Sequence, residues 1–291
     1  MCLLAIAIGA SVRWPLVIAS NRDEFRDRPT LPLAVWRTPG DNTLLSGRDL
    51  RAGGTWMGCT PSGRIALLTN VREPDSVTGA LTRGELPLRW LEGQMDAAEF
   101  LATSDAKSYG GCNLVLGDFF RAEWTWASNR GDHLAGVAPL NSRSTATGWQ
   151  TMSLPPGIYG LSNALLDTPW PKTLGLKAAM QAALTQADAD QDESALESLL
   201  WPALGNSQRA DLHCLPDTGV ATALEHALSS ALIDMPERGY GTRCSTLMWV
   251  AAQSTTGSFS ATMCEKTIAV QPVENGEAAD PMVKLTWPLR T

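Results

Sequence analysis

The sequence predicts an α+β fold built mainly on antiparallel sheet. Short apolar runs bounded by Gly, Pro, Asn and Ser fill the first part of the chain, helical patterns dominate its later middle, and β-rich runs close it. Strands and helices therefore come in blocks with few strand–helix–strand crossovers, which favours this class over a parallel sheet. No repeat or low-complexity linker divides the 291 residues, so we expect a single domain over 1–291.

The first half of the chain predicts strands, one helix and a strand pair. Apolar and β-branched runs indicate strands over Cys2–Ile8, Pro15–Ala19, Thr55–Cys59 and Arg64–Thr69. The segment 61–63, Pro-Ser-Gly, is a typical hairpin turn. Apolar spacing predicts a helix over Gly84–Thr103. Residues 113–117 and 122–127 then predict two paired strands, with Trp124 and Trp126 on one face of the second.

The second half predicts helices followed by a closing antiparallel meander. Helical patterns cover Lys172–Thr185, Glu193–Leu200 and Val220–Leu232. A polar, acidic segment over 186–194 predicts a break between the first two helices. Short β-rich runs cover Ser245–Ala251, Ser258–Met263, Thr267–Val270 and Val283–Trp287.

Composition and charge narrow the function classes. The chain carries 23 basic and 30 acidic residues, a net charge of −7, which disfavours binding to nucleic acid or to anionic membranes. Its first 20 residues lack a basic segment and a long apolar run, so neither a signal peptide nor a membrane span is expected. Six dispersed cysteines indicate reduced thiols and a cytoplasmic location. We expect the partner to be a small-molecule substrate or an apolar ligand.

The sequence shows no signature of a cofactor. The three histidines lack the spacing of metal ligands, and there is neither a G-x-G-x-x-G segment nor a Walker A sequence. We therefore expect chemistry carried by side chains alone.

The second residue is the strongest candidate for that chemistry. If Met1 is trimmed, as is usual before a small residue, the thiol and the free α-amine of Cys2 share one carbon. The amine, with a reference pKa of about 7.7 to 8.0, could then serve as general base for the thiol. Only Met1 precedes Cys2, so we expect ordinary aminopeptidase trimming to suffice. The alternative is that Cys2 merely begins a buried strand as a small hydrophobic residue.

Polar residues follow several predicted strands. The segment Asn21-Arg22-Asp23-Glu24 follows the second strand, and a hairpin of the first two strands would bring Asp23 to Cys2, where it could orient the amine. An Asx turn and exposed ion pairs are the alternative for this segment. Asn70 and Asn163 end later strands and could donate to an oxyanion, typically worth ~3 kcal/mol per donor, or could simply form turns. Asn113 is a weaker candidate because it begins a strand.

A basic residue lies just ahead of a predicted strand near the end of the chain. Arg243, within Gly241-Thr242-Arg243-Cys244-Ser245-Thr246, could favour a thiolate or bind a substrate carboxylate or carbonyl. A surface ion pair is the alternative.

Asn21 and Arg22 are assigned to substrate binding.

Taken together, these segments resemble the NRDE family, the group related to transport and Golgi organisation protein 2. The resemblance runs from Cys2 to about Val250 and rests on segments that are individually weak but jointly specific. They are Cys2, Asn21-Arg22-Asp23-Glu24, Leu67-Leu68-Thr69-Asn70-Val71-Arg72-Glu73, Gly160-Leu161-Ser162-Asn163 with Trp170-Pro171-Lys172, and Gly241-Thr242-Arg243-Cys244-Ser245-Thr246.

The resemblance implies a fold and a set of roles. It implies a four-layer αββα sandwich of the Ntn-hydrolase type, similar to the cysteine acylases that cleave penicillin V or conjugated bile salts. It implies Cys2 as nucleophile, Asp23 as partner of the amine, Asn70 and Asn163 as oxyanion or amine contacts, and Arg243 as the charge that lowers the pKa of the thiol. One position departs from those acylases, which have an arginine three residues before the aspartate where this chain has Ser20.

Two functions follow as expectations. The first is hydrolysis of a non-peptide carbon–nitrogen bond in a small or acyl-bearing substrate, with Cys2 as the nucleophile. The second, also implied by the resemblance and by the eleven tryptophans, is non-catalytic carriage of an apolar ligand such as haem or a lipid. A fold that has lost its catalysis is a third alternative.

Overall fold

The computed structural model describes residues 2–74, 78–130, 141–252, 258–268 and 282–290. The strands in the first half of these ranges are β1 Cys2–Ile8, β2 Leu16–Phe25, β3 Thr30–Arg37, β4 Thr43–Asp49, β5 Met57–Cys59, β6 Arg64–Asn70, β7 Cys112–Asp118 and β8 Glu123–Ser128. Those in the second half are β9 Arg143–Ser144, β10 Gln150–Ser153, β11 Gly157–Leu161, β12 Asp234–Met235, β13 Tyr240–Ala252, β14 Phe259–Thr267 and β15 Met282–Pro288.

The α-helices of the described ranges are α1 Glu85–Glu92, α2 Ala97–Ala102, α3 Pro171–Asp190, α4 Ser194–Leu204 and α5 Thr222–Ala227. Three short 3-10 helices cover Ala106–Ser108, Leu212–Cys214 and Pro236–Arg238. None of the helices described is long and apolar enough to cross a bilayer.

The strands form two antiparallel sheets. The first sheet has the order β11-β1-β2-β13-β14-β15, with the short β12 paired to β13. The second sheet has the order β3-β4-β5-β6-β7-β8-β10-β9. The first strand of the chain is therefore an inner strand, paired on one side with β2 and on the other with β11.

Three apolar cores separate four layers. Side chains alternate along β1, so Leu4 and Ile6 pack into the core between the two sheets whereas Leu3 and Ala5 pack into the core beneath α3 and α4. A third core joins the outer face of the second sheet to α1 and α2. Because both faces of β1 are buried, its sequence is a continuous apolar run rather than an alternating one. The predicted α+β class and the αββα layering are thus confirmed.

Several predicted elements differ in extent from those observed. The second strand runs to Phe25, so the segment 21–24 lies inside β2 instead of after it. The reason is that β2 has partners on both sides, β1 and β13, along this segment. The Asx-turn alternative for these residues is therefore wrong.

The predicted helix over Gly84–Thr103 is two helices. The first ends at Glu92, and the second begins at Ala97. The preceding Asp96 caps the second helix: its carboxylate accepts from the Glu99 amide while the Glu99 side chain accepts from the Asp96 amide. Reciprocal bonds of this kind start a new helix and override the continuous apolar spacing.

Other differences concern weakly patterned segments. The edge strand β3 was not predicted because only Leu33 of its eight residues is buried, and its neighbour β4 was also missed. The acidic segment does not break α3 at 186, since the helix continues to Asp190 on an exposed face. The last predicted helix is shorter, ending at Ala227. The strand β14 ends at Thr267, the first residue of the predicted strand Thr267–Val270. Residues 269–270 of that predicted strand lie outside the described residues.

Candidate active site

The first residue of β1 lies at a cavity. The side chain of Cys2 is 7% exposed, and it shares the inter-sheet face of β1 with Leu4 and Ile6. Its direct cross-strand partner is Arg22 on β2, so the two side chains project to the same face of the first sheet. Both line a cavity of about 390 Å³.

The lining of this cavity is rich in charge. Asn70, Trp56, Leu68 and Leu81 contribute to its wall, together with glycines of the segments 79–84 and 110–111. The charged side chains that line it are those of Arg22, Asp23, Glu24, Arg28, Asp49, Arg51 and Arg83. Such a lining suits a ligand with polar or charged groups more than a purely apolar one.

The environment of Cys2 favours a neutral thiol at rest. Burial raises the pKa of the Cys2 thiol, and the nearby Asp23 carboxylate raises it further. The Arg22 guanidinium and a hydrogen bond from the Asp23 backbone amide act in the opposite direction on this pKa. Because the net shift is upward, the thiol needs a base before it can attack a carbonyl.

The guanidinium beside the thiol is held in place on several sides. Arg22 lies over the Trp56 ring, with 4.1 Å from Cζ to the ring centroid. Its Nη1 donates to Thr30 Oγ1 at 3.1 Å and its Nη2 to Asp49 Oδ2 at 3.4 Å. A planar guanidinium fixed in this way presents a constant positive charge to the cavity.

Asp23 lies on the other face of β2, toward the helices, and its side chain also reaches the cavity wall. It is 2% exposed, and its Oδ1 accepts a hydrogen bond of 2.7 Å from Thr242 Oγ1 on the neighbouring strand β13. Burial raises the pKa of the Asp23 carboxyl, whereas the charge of Lys172 is the strongest of the side-chain influences that lower it. Thr242 and Lys172 therefore stabilise the ionised form.

The two candidate asparagines are tied together. Asn163 Nδ2 donates to the backbone oxygen of Asn70 at 2.9 Å, and the backbone oxygen of Asn163 accepts from the Arg72 amide at 2.8 Å. Ser162 Oγ donates to the backbone oxygen of Cys2 at 3.1 Å. These bonds join the start of β1 to the ends of β6 and β11, and so bring Asn70 and Asn163 to the end of the sheets at which Cys2 lies.

Two other predicted site residues lie elsewhere. Arg243 sits at a register shift between Thr242 and Cys244, and its Nη1 donates to the backbone oxygens of Phe25 and Arg28, at 2.8 and 3.1 Å. It is absent from the cavity lining. The arginine next to Cys2 is instead Arg22, and the reason is that Arg22 is the register partner of the cysteine.

Asn21 is likewise directed away from the cavity. Its Nδ2 donates to the backbone oxygens of Leu204 and Ala231, both at 2.9 Å, and its Oδ1 accepts from Ser245 Oγ at 2.6 Å. Alternation along β2 puts Asn21 on the helix-facing side, opposite Arg22. The structure therefore gives it a packing role between β2, β13 and α4.

The structure also brings charged residues to the site to which the sequence assigned no role. Lys172, Arg72 and Glu225 are buried, the charges of Lys172 and Arg72 act on Asp23, and Arg72 forms an ion pair with Glu225. The first two belong to the segments that carried the family resemblance.

Within the described ranges, no three His, Cys, Asp or Glu side chains come together as a metal site would require.

Four layers with a cysteine at the start of an inner strand define the class as an αββα sandwich of two antiparallel sheets. The family model described as Transport and Golgi organisation 2 matches residues 1–269, and the chain belongs to this family. The predicted family resemblance is thus confirmed.

Relatives of known name support the membership. The chain is 32% identical over 252 residues to the transport and Golgi organization protein 2 homolog of Bos taurus, covering 82% of this chain and 83% of the relative. It is 30% identical over 266 residues to the homolog of Homo sapiens, with 88% and 89% covered.

Solved structures with distant similarity were also found. One is a Caenorhabditis elegans ortholog of N-acylethanolamine-hydrolyzing acid amidase, with a TM-score of 0.44 and 12% identity over 85% of this chain and 92% of that one. Another is the C2A mutant of conjugated bile acid hydrolase from Clostridium perfringens, with a TM-score of 0.41 and 8% identity over 99% and 96%.

Proposed function

We propose that the chain is an N-terminal-cysteine hydrolase that cleaves a non-peptide carbon–nitrogen bond of a small or acyl-bearing amide. The observation that carries this proposal is the position of Cys2, whose side chain lines a cavity together with Arg22, Asp23 and Asn70. A thiol, a cation, a carboxylate and an amide that line one cavity are the groups that acyl transfer to a cysteine needs.

The first half of the proposed reaction forms an acyl-enzyme. After Met1 is removed, the α-amine of Cys2 takes the proton of the thiol, and the sulfur attacks the amide carbon. The carbonyl π electrons move to oxygen, and the amide of Asn70 donates a hydrogen bond to the resulting oxyanion. Asp23 stabilises the ammonium form of the base.

The second half releases the products. When the tetrahedral intermediate collapses, the carbon–nitrogen bond breaks and the ammonium returns its proton to the leaving amine. The same amine then deprotonates a water molecule, which attacks the thioester and releases a carboxylic acid. Sulfur recovers the proton, so the cycle consumes one amide and one water.

The pKa of the thiol supports a separate base. Burial raises the pKa of Cys2, so a pre-formed thiolate is not available at neutral pH. An amine bonded to the same residue supplies that base without any movement of the chain.

Hydrolysis of simple amides tests the proposal. The p-nitroanilides of acetic, hexanoic and phenylacetic acids are incubated with protein whose mass shows that Met1 has been removed. We expect release of p-nitroaniline by wild type and an acyl mass on the N-terminal peptide, with both lost in Cys2→Ala. Cys112→Ala, which removes a buried thiol from a core outside the cavity, serves as the matched control. Equal hydrolysis by Cys2→Ala and wild type would contradict the proposal.

Carriage of an apolar ligand is the competing function. The charged lining of the cavity favours the hydrolase over this alternative. A haem titration followed in the Soret region separates the two. Tight binding by both wild type and Cys2→Ala, with no hydrolysis by the wild type, would favour a carrier.

A further inference from the structure

The wall of the proposed active-site cavity contains a guanidinium that forms no ion pair with any described residue. Arg83 is half-buried and lines the same cavity as Cys2. Its Nη1 donates to the backbone oxygen of Gly111 at 3.1 Å, which is its one hydrogen bond within the described part of the chain. The Glu73 carboxylate lies beside Gly111, but both of its oxygens accept from the Arg130 guanidinium.

Each of the other arginines that line the cavity has a carboxylate partner. Arg22 and Arg28 both donate to the Asp49 carboxylate. Arg51, half of which is exposed, lies 3.4 Å from the carboxylate of Asp27. The charges of these three arginines are therefore compensated within the chain.

Arg83 is tied to the strand that carries the proposed oxyanion donor. The Gly111 oxygen that accepts from Arg83 also accepts from the Val71 amide, at 2.9 Å. Val71 directly follows Asn70, whose register partner Cys112 directly follows Gly111. One carbonyl therefore joins the guanidinium to the end of β6, where Asn70 lines the cavity.

The segment just before α1, which carries this guanidinium, is fixed on two sides. The Leu81 amide donates to the backbone oxygen of Ser108 at 2.9 Å, and the Thr55 amide donates to that of Gly84 at 3.1 Å. A Cβ on Gly54 would lie only 2.3 Å from the Gly84 backbone, so the two chain segments are in close contact. A wall built in this way positions its charge before a ligand enters, which reduces the cost of ordering on binding.

We propose that the amide cleaved at Cys2 carries a carboxylate, which Arg83 binds. This inference rests on the proposed function and adds the class of substrate. A guanidinium has five N–H donors in a planar fork that matches the two oxygens of a carboxylate. Because Arg83 uses one nitrogen for Gly111, the other nitrogens are available to a ligand.

The charge of the cavity fits a single negative charge. Four arginines and three carboxylates line it, so the lining carries one formal positive charge in excess. A monoanion compensates this excess, whereas a second negative charge would be repelled by the carboxylates of Asp23, Glu24 and Asp49.

Two matched pairs of substrates test the inference. The first pair is the p-nitroanilide of pentanoic acid and the mono-p-nitroanilide of glutaric acid, which has a carboxylate in place of the terminal methyl group. The second pair is the p-nitroanilide of hexanoic acid and the hexanoyl amide of 5-amino-2-nitrobenzoic acid, which has its carboxylate on the leaving amine. We expect the wild type to have a kcat/KM about tenfold higher for the anionic member of at least one pair. High ionic strength should reduce this preference.

Variants of Arg83 show whether the preference depends on its charge. Arg83→Gln keeps a donor for the Gly111 oxygen but no charge, and it should lose the preference, whereas Arg83→Lys should keep part of it. The ratio within a pair does not change when less protein is folded, so a purely structural role of Arg83 would leave it unchanged. The control Arg89→Met, which removes an arginine that pairs with Glu85 outside the cavity lining, should keep the ratio. Hydrolysis without preference for either anionic substrate, or a preference that Arg83→Gln leaves intact, would overturn the inference.

Binding without turnover separates this inference from the proposed function. In Cys2→Ala, calorimetric titration should show that the anionic member of a pair binds about tenfold more tightly than the neutral one. Adding Arg83→Gln to this variant should remove the difference. If the wild type hydrolyses none of the four amides but the binding difference is present, the proposed function fails and the carboxylate site is supported. Equal binding within both pairs would contradict the carboxylate site whether or not the wild type is active.

Discussion

Cys2 and Arg22 face each other across the first two strands, as direct partners in the register of β1 and β2. This relationship places a guanidinium beside the candidate nucleophile without any contribution from a loop. The positive charge comes from the strand position opposite the cysteine.

Replacing Arg22 should therefore slow the reaction of Cys2 with an alkylating reagent. In Arg22→Met the pKa of the thiol should rise, and the alkylation rate at pH 8 should fall about tenfold, the effect of about one pKa unit. Arg243→Met is the matched control, because Arg243 bonds to the backbone of Phe25 and Arg28. Mass-spectrometric rates for the Cys2 peptide provide the measurement, and a larger effect of Arg243→Met than of Arg22→Met would reverse the assignment.

Replacing Asn70 should lower turnover, whereas replacing Asn113 should lower stability. Asn70 lines the cavity, so Asn70→Ala should lower the turnover number by about 100-fold through loss of an oxyanion donor. Asn113 Nδ2 instead bonds Thr69 Oγ1 and the backbone oxygen of Ala164, at 3.2 and 2.8 Å. Asn113→Ala should lower the free energy of unfolding by about 1–3 kcal/mol and leave the turnover of the folded protein unchanged. Steady-state kinetics and urea denaturation measure the two effects, and the reverse pattern would refute the role given to Asn70.

The buried pair of Arg72 and Glu225 should govern stability. Both side chains are almost completely buried, at 4% and 2% exposed, so Glu225→Gln leaves an uncompensated guanidinium inside the fold. We expect a loss of about 3–5 kcal/mol in the free energy of unfolding, measured by urea denaturation. The double variant Arg72→Met/Glu225→Leu removes both charges and should recover most of that loss. A single and a double variant of equal stability would disprove the pairing argument.

Lys172 should make stability depend on alkaline pH. Its pKa is about 8 in the folded chain and ordinarily 10.5, so between these values the unfolded chain binds a proton that the folded chain has released. The free energy of unfolding should therefore increase with pH across this window relative to that of Lys172→Met, and the difference should be constant below about pH 8. Paired urea denaturations at pH 7, 8, 9 and 10 test this, since other groups titrate in both proteins and cancel. If the free energy of unfolding of the wild type minus that of Lys172→Met decreased from pH 8 to 10, the prediction would be contradicted.

Blocking the N-terminus should remove the proposed base and leave the thiol of Cys2 in place. An extension retained ahead of Cys2 converts the α-amine into an amide, which cannot accept a proton. We expect an N-terminally extended protein to lose p-nitroanilide hydrolysis while a protein with a C-terminal tag keeps it. Equal activity of the two proteins would exclude the α-amine as base.

The sequence was sufficient to predict the layered fold and the neighbourhood of some of the candidate site residues. Long apolar runs such as β1 identify strands buried on both faces, and the register of a hairpin brings the segment 21–24 to Cys2. The edge strand β3 gave little signal because only Leu33 is buried. Arg72 could not be given a role, since its partner Glu225 is 153 residues away along the chain. Contacts of that range depend on how the helices pack on the sheet, which local patterns do not specify.

The most direct test of the account is the relative reactivity of the cysteines. Cys214 is exposed and would compete for reagent, so the measurement uses a Cys214→Ser background with Met1 removed. Iodoacetamide treatment and peptide mapping should show Cys2 modified first, while Cys112, whose pKa burial raises to about 12, stays unmodified. Modification of Cys2 no faster than that of Cys112 would contradict the assignment of Cys2 as the nucleophile.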